Sequence, residues 1–240
     1  YFELSIKKGE TIVFSAGTDA ISPRKLKRLF EDEKEARLER TDFISCLKTS
    51  AYQFYNKLSD GAYLLAGYPW FNYRARDQFI SLPGATLYAD DDKFFDEVMD
   101  KAVVALREFM NNEPATTRLT EVDSPDVLLW AVWAIQQYAI KKGVDVAAEK
   151  YGQLVFDIVN YIRRQQHPNL AVHDNGLLFT NGKERPATWM NAVENGWPIT
   201  PRTGYVVEIN ALWYNALKFA AELATALKVE NQADLFDYQA

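Results

Sequence analysis

Asp126-Val127-Leu128-Leu129-Trp130-Ala131-Val132-Trp133-Ala134-Ile135 is apolar on every face once its first residue is passed. A helix of that kind has no side to give to water, so it must be buried on several sides. Ser124-Pro125 supplies an N-cap and a first-turn proline, and the pattern predicts a helix over 126–142. A second run, about Val207 to Lys228, is again apolar on most sides. The helices around them are amphipathic. Phe94–Met110 gathers Val98, Ala102, Ala105, Leu106 and Phe109 on one face, and about Ala147–Gln166 gathers Leu154, Val155, Ile158, Val159 and Ile162. Apolar helices want an inner place and amphipathic ones an outer ring. That alternation suits a double-layered α/α toroid and equally a helical solenoid; the absence of a repeated sequence period weighs against the solenoid.

Working outward, residues 1–15 alternate as strand, Lys7-Lys8-Gly9-Glu10 turn and strand, which predicts a β-hairpin left from a preceding β domain over 1–21. Ser22-Pro23 opens a charge-rich helix to about Glu39, read as a solvated linker over 22–41. An amphipathic helix is expected from Asp42 to Leu58, stopped by Asp60-Gly61. The toroid-type domain then occupies 42–240. Asp90-Asp91-Asp92 is a cation site by composition, or a helix N-terminus that favours negative charge. Ala171–Thr180 looks like a small hairpin, and a long loop follows to Thr203, of the kind that usually carries function. A further helix is expected to begin shortly before Ala240.

The chain has 240 residues, 48% hydrophobic and 14% aromatic, with 6 Trp and 13 Tyr. That is enough for a core, and its aromatic richness fits a carbohydrate site as well as an aromatic helical core. The net charge of −6 without a basic block disfavours nucleic acid. A single cysteine, Cys46, excludes an internal disulfide and is compatible with a reducing compartment. No stretch approaches the length of a membrane span and no signal peptide is visible. The only histidines, His167 and His173, have no second ligand at useful spacing, so neither metal nor cofactor is expected.

Two aromatic-polar stretches carry the chemistry. Residues 66–84 run from a Gly67–Pro69 turn through Tyr68, Trp70, Phe71 and Tyr73 to Arg74, Arg76 and Asp77, and end in Ser81-Leu82-Pro83-Gly84. Residues 188–215 hold Thr-Trp-Met-Asn, then Thr-Pro-Arg-Thr-Gly, then Val-Glu-Ile-Asn-Ala-Leu-Trp-Tyr-Asn. Aromatic faces stack on the C–H face of a sugar ring, and charged partners take its hydroxyls. Together these stretches resemble the amylo-α-1,6-glucosidase, or glycogen-debranching glucosidase, family. The matching residues are Tyr68–Phe71, Arg76-Asp77, Ser81–Gly84, Thr188–Met190, Thr200–Arg202, Gly204 and Val207–Leu217.

The resemblance implies a mainly α protein, part of an (α/α)6 toroid, of which this chain supplies about half. Further chain or another chain would complete it. It implies a cytoplasmic, inverting glycosidase acting on α-1,6 branch points of glycogen, limit dextrin or a maltooligosaccharide. Trp70, Trp189 and Trp213 would line the glucose pocket, with Arg76, Asp77, Asp126, Arg202 and Glu208 around them. Glu208 is the carboxylate expected in catalysis, unless it is simply paired with Arg202. Asp126 is alternatively a helix N-terminal charge, and Asp174 is a further candidate. Two departures stand out. Arg74 replaces a family Trp, and Asn191 stands where the family carries the carboxylate that looks like the general acid. An amide cannot donate a proton as a carboxylic acid does. A hydrolysis-deficient α-glucan-binding paralogue is therefore the second reading, and a different enzyme on an α/α toroid the third. Inner helices left open would expose apolar surface, so self-association into a dimer or aggregate is expected.

Overall fold

The computed structural model describes residues 3–17, 19–37 and 39–240. It divides into two compact units, Tyr1–Ser50 and Ala51–Ala240. In the first, helix α1 spans Pro23–Ala36, with the proline in its first turn and no buried side chain. A charge-rich sequence gives that result, because Glu33–Arg37 and similar pairs one turn apart replace tertiary packing. Helix α2 follows over Phe43–Tyr52, where Asp42 caps Ser45 N–H at 2.9 Å.

The expected N-terminal hairpin is not formed among the described residues; Phe2 lies outside them. Glu10 N–H closes a turn on Lys7 O at 3.0 Å, but residues 3–17 hold no strand. An isolated two-stranded ribbon with nothing to pack on is marginal in water. The helix expected from Asp42 to Leu58 also needs correction. It ends at Tyr52, and Tyr55–Leu58 is strand β1, paired antiparallel with β2, Gly61–Leu64. Tyr55 explains the switch. Its ring stacks on Phe94 at 3.8 Å and its hydroxyl donates to Ala85 O at 2.6 Å, so it serves the core better from a strand than from a fourth turn of helix. Burial pushes that phenol well above its ordinary pKa.

The second unit is built from helical hairpins. Helix α3 (Ala75–Ala85) leads through a 3₁₀ turn, Leu87–Ala89, into α4 (Asp92–Met110), whose N-terminus is capped by the Asp91 carboxylate accepting from Phe94 N–H at 3.0 Å. The acidic run is thus a helix start, and among the described residues no cluster of His, Cys, Asp or Glu is arranged to hold a metal. Helix α5 (Val127–Lys142) is separated from α6 (Val144–Arg163) by Gly143 alone, whose φ of 103° is open to glycine. Strands β3 (Leu170–Val172) and β4 (Leu178–Thr180) form the expected small hairpin. A further hairpin, β5 (Val193–Glu194) with β6 (Trp197–Pro198), lies inside the loop before α7 (Val207–Ala226), and α8 (Glu230–Gln239) closes the chain.

Each hairpin packs on itself, α3 with α4, α5 with α6 and α7 with α8, while α3 lies against α5 and α5 against α7. The inner row α3–α5–α7 therefore runs in one direction, since α4 and α6 each bring the chain back before the next inner helix begins. Its core is Phe79, Leu82, Leu128, Val132, Ile135, Ile209 and Leu217, backed by Phe95, Met99, Val155 and Ile158 from α4 and α6. Each such side chain contributes about 1.5–3 kcal/mol on burial. No helix among the described residues is long and apolar enough to cross a membrane.

Candidate active site

Because the inner helices are parallel, their N-termini share one end of the second unit. The segments leading into them, 66–74, 111–126 and 164–206, are stitched together there. Thr120 N–H donates to Tyr73 O at 2.8 Å and Ala75 N–H to Thr120 O at 3.0 Å, joining the first two. Asn169 Nδ2 donates to Asp123 O at 2.9 Å, and Arg185 pairs with Asp123 at 2.6 Å, joining the second to the third. The third folds on itself: Thr180 and Gly204 exchange backbone bonds of 3.1 and 2.9 Å. Gly182 passes so close to the chain that a Cβ there would sit 2.1 Å from Arg202 O.

Each inner helix presents a carboxylate at this end. Asp77 is in the first turn of α3, Asp126 is the N-cap of α5, and Glu208 is in the first turn of α7. The partial positive charge of a helix N-terminus favours such groups, so each is consistent with local chemistry before any function is invoked. Their surroundings differ sharply. Asp126 is 1% exposed and Arg76 3%. Arg76 Nε donates to both carboxylate oxygens, at 3.0 and 2.8 Å, Nη2 to Oδ1 at 2.8 Å, and Trp130 Nε1 to Oδ2 at 3.1 Å. This pair ties α3 to α5, and it leaves Asp126 facing protein rather than solvent.

Asp77 is exposed and has no hydrogen-bond partner for its carboxylate among the described residues. It opens onto a cavity of about 350 Å³ walled by Phe54, Leu64, Leu65, Ile80 and Ser81. Glu208 is held by Arg202, whose Nη2 bonds Oε2, and Oε1 is shielded from solvent without a partner among the described residues. Arg202 also reaches Met190 Sδ at 4.0 Å with Nη1. The Thr188–Asn191 segment, Arg202 and Glu208 are thereby assembled as one piece. Asn191 N–H bonds Trp189 O at 2.9 Å, while its side chain has no partner among the described residues.

The aromatic residues separate into two groups. Trp70 is 82% exposed and Trp189 62%, which leaves their faces free. Trp213 is buried, with Nε1 donating to Gly176 O at 3.2 Å beneath the β3–β4 turn. It borders a separate cavity of about 820 Å³ that also takes in Asp174, His173, Arg163 and Arg164. Trp213 and Asp174 line this cavity, whereas Arg202 and Glu208 do not. Where the resemblance leads to a Trp at 74, Arg74 stacks its guanidinium 4.7 Å over Phe71 and pairs with Glu121 at 3.3 Å. Sequence reasoning did not pick out Trp197 and Glu194 on the β5–β6 hairpin, although Asn195-Gly196 is a strong signal for a two-residue hairpin turn.

Aromatic faces and carboxylates gathered at one end of a helical-hairpin unit are the furniture of a carbohydrate site. A family model described as Amylo-alpha-1,6-glucosidase matches residues 47–240. The chain belongs to that family of glycoside hydrolases, and α-glucans are the substrate class that the family implies. Searches of curated proteins and of solved structures each returned no match.

Proposed function

We propose that the chain carries the sugar-binding half of a debranching α-1,6-glucosidase, taking the single glucosyl stub left at an α-1,6 branch point of a glycogen-like glucan. What supports this reading is that Asp77 and Glu208 lie in the first turns of α3 and α7, and that Arg202 ties the Thr188–Asn191 segment to Glu208. Trp70 and Trp189 offer stacking faces at its rim. Asp77, with an unpartnered carboxylate beside an apolar wall, accepts from glucose hydroxyls. Arg202 fixes one oxygen of Glu208, and the other, shielded and without a partner among the described residues, is an acceptor for a hydroxyl or water drawn in with the sugar. The buried Arg76–Asp126 pair acts by holding α3 and α5 in register.

Inverting hydrolysis needs a carboxylic acid on one side of the bond and a carboxylate activating water on the other, about 6.5–9.5 Å apart. In this reading Glu208 serves the water side. Asn191 occupies the position of the proton donor, which it can hydrogen-bond but not protonate. The three hairpins α3–α4, α5–α6 and α7–α8 would make half of a six-hairpin toroid, a cytoplasmic setting accords with the single thiol, and open inner helices would favour self-association.

The test is release of free glucose from a limit dextrin bearing single α-1,6-glucosyl stubs. Release supports hydrolysis with another group as acid. Binding of the dextrin by calorimetry without release supports the second reading, a glucan-binding paralogue, which Asn191 specifically favours. Neither binding nor release would overturn both.

A further inference from the structure

The β5–β6 hairpin begins two residues after Asn191 and ends two before Thr200, between Met190 and Arg202, which meet at 4.0 Å. Its base is closed by Ile199 N–H donating to Ala192 O at 3.0 Å. Asn195 and Gly196 have φ of 50° and 87°, the left-handed pair of a tight two-residue turn. Register then sorts the side chains. Glu194 lies directly opposite Trp197, and Val193 opposite Pro198. Directly opposed residues share a face and neighbours along a strand alternate. One face carries buried Pro198 with Val193 exposed beside it; Glu194, Trp197 and Ile199 share the other, which is exposed throughout. Trp197 and Ile199 are each 62% exposed.

Packing explains nothing about that second face. An indole and an isoleucine stand in water on a two-stranded ribbon that gains no core from them. The indole's cross-strand neighbour is a carboxylate with no hydrogen-bond or ion partner among the described residues. A flat aromatic face with an acceptor beside it matches a pyranose, which offers C–H groups on one side and hydroxyls around its edge. We propose that this face of the hairpin is a stacking platform for the glucan main chain that carries the branch, with Trp197 under one glucose unit and Glu194 accepting from its hydroxyls.

The proposal rests on the carbohydrate reading above and extends it. A stub of one glucose is small enough to sit at the Asp77 and Glu208 end. The chain that carries it must protrude, and the hairpin is the exposed element joined in sequence to Asn191. Trp197 is then a specificity residue. It distinguishes a stub on a long chain from the same glucosyl unit in a small molecule.

The experiment is calorimetric titration of the protein, and of its W197A, W197F and E194Q variants, with two probes. One is a maltooligosaccharide bearing a single α-1,6-glucosyl stub; the other is isomaltose, which has the linkage without the chain. Expected is about tenfold weaker binding of the long probe by W197A, as for loss of a central aromatic anchor. W197F should restore most of it, E194Q should lose a smaller part, and isomaltose should be unaffected throughout. Circular dichroism identical to the parent shows that an exposed tip substitution leaves the fold alone. Wild-type binding of the long probe with W197A unchanged overturns the platform and leaves the carbohydrate reading standing. No wild-type binding of either probe overturns that reading and the platform with it. A change of elution volume in W197A on size-exclusion chromatography, with glucan affinity unchanged, assigns the face to self-association and also overturns it.

Discussion

Removing Asp126 should be the most damaging single change at the site end of the molecule. Its carboxylate receives three bonds of 2.8–3.0 Å from Arg76 and one of 3.1 Å from Trp130, in a place closed to water. Asp126→Ala leaves the guanidinium buried and uncompensated, a loss of about 3–5 kcal/mol for a buried pair broken on one side. Arg76→Met strands the carboxylate instead and should cost a similar amount. The pair as a whole is worth far less than either half, because its attraction mainly offsets its own desolvation. The double variant Arg76→Met/Asp126→Leu should therefore lie within about 2 kcal/mol of the parent, giving a large favourable coupling in the double-mutant cycle. Against a domain stability of about 5–15 kcal/mol, either single change shifts a urea midpoint far outside error. Single variants within about 1 kcal/mol of the parent would refute the reasoning, as would a double variant whose loss equals the sum of the singles. The first result would mean that the pair is solvated. The second would mean that the two residues do not act together.

Asn191→Asp should raise glucose release from a stubbed limit dextrin by about a hundredfold or more, the scale of a positioned general acid; an unchanged rate would remove Asn191 from the reaction. Burial pushes His167 down from 6.5 to about 4, its ring packed edge-on against Phe109 and Tyr161. The unfolded chain binds that proton first, so this residue's contribution to stability is intact above about pH 6.5 and falls as pH drops towards 4. At pH 5 the deficit is about 2 kcal/mol, and the unfolding free energies of His167→Phe from urea titrations at pH 7 and pH 5 should differ by that much less than the parent's. Gly182→Ala should displace the Arg202 backbone, cost about 1–3 kcal/mol and weaken glucan binding, whereas a normal affinity would separate that contact from the site. Arg202→Ala should cost only about 1 kcal/mol in stability, since the pair is partly solvated, yet weaken dextrin binding several-fold in calorimetry.

The helical layers were legible because periodicity reports burial. The all-apolar run from Val127 and the amphipathic runs in α4 and α6 predict which helices lie inside, and the structure buries them accordingly. Boundaries were read less well where one side chain overrides the pattern. Tyr55 fits a helical stripe, but its place between Phe94 and Ala85 needs a strand. The N-terminal alternation forms no strand over residues 3–17, and a two-stranded ribbon by itself is marginal in water. At the site, the ion pair of Glu208 with Arg202 was foreseen as one of two readings, since they are six residues apart across a turn. The Arg76–Asp126 pair was not, because nothing local joins residues fifty positions apart. The motif leads to Trp213 as a pocket-lining residue, and only packing shows how little of it is exposed and that its Nε1 is taken by Gly176 O.

Gly143, standing alone between α5 and α6, has a bearing on how such a chain can vary. At its end of the molecule the helices are joined by Gly143, by residues 86–91 and by 227–229, and inserted residues there would push packed helices apart. At the opposite end the joins are 111–126 and 164–206, long enough to hold hairpins of their own. Length changes are entropically mild in loops of that kind. Natural variation in what is recognised should accumulate at one end, while the other stays constant in length, and an insertion library directed at 193–199 should yield folded proteins where one directed at 143 does not.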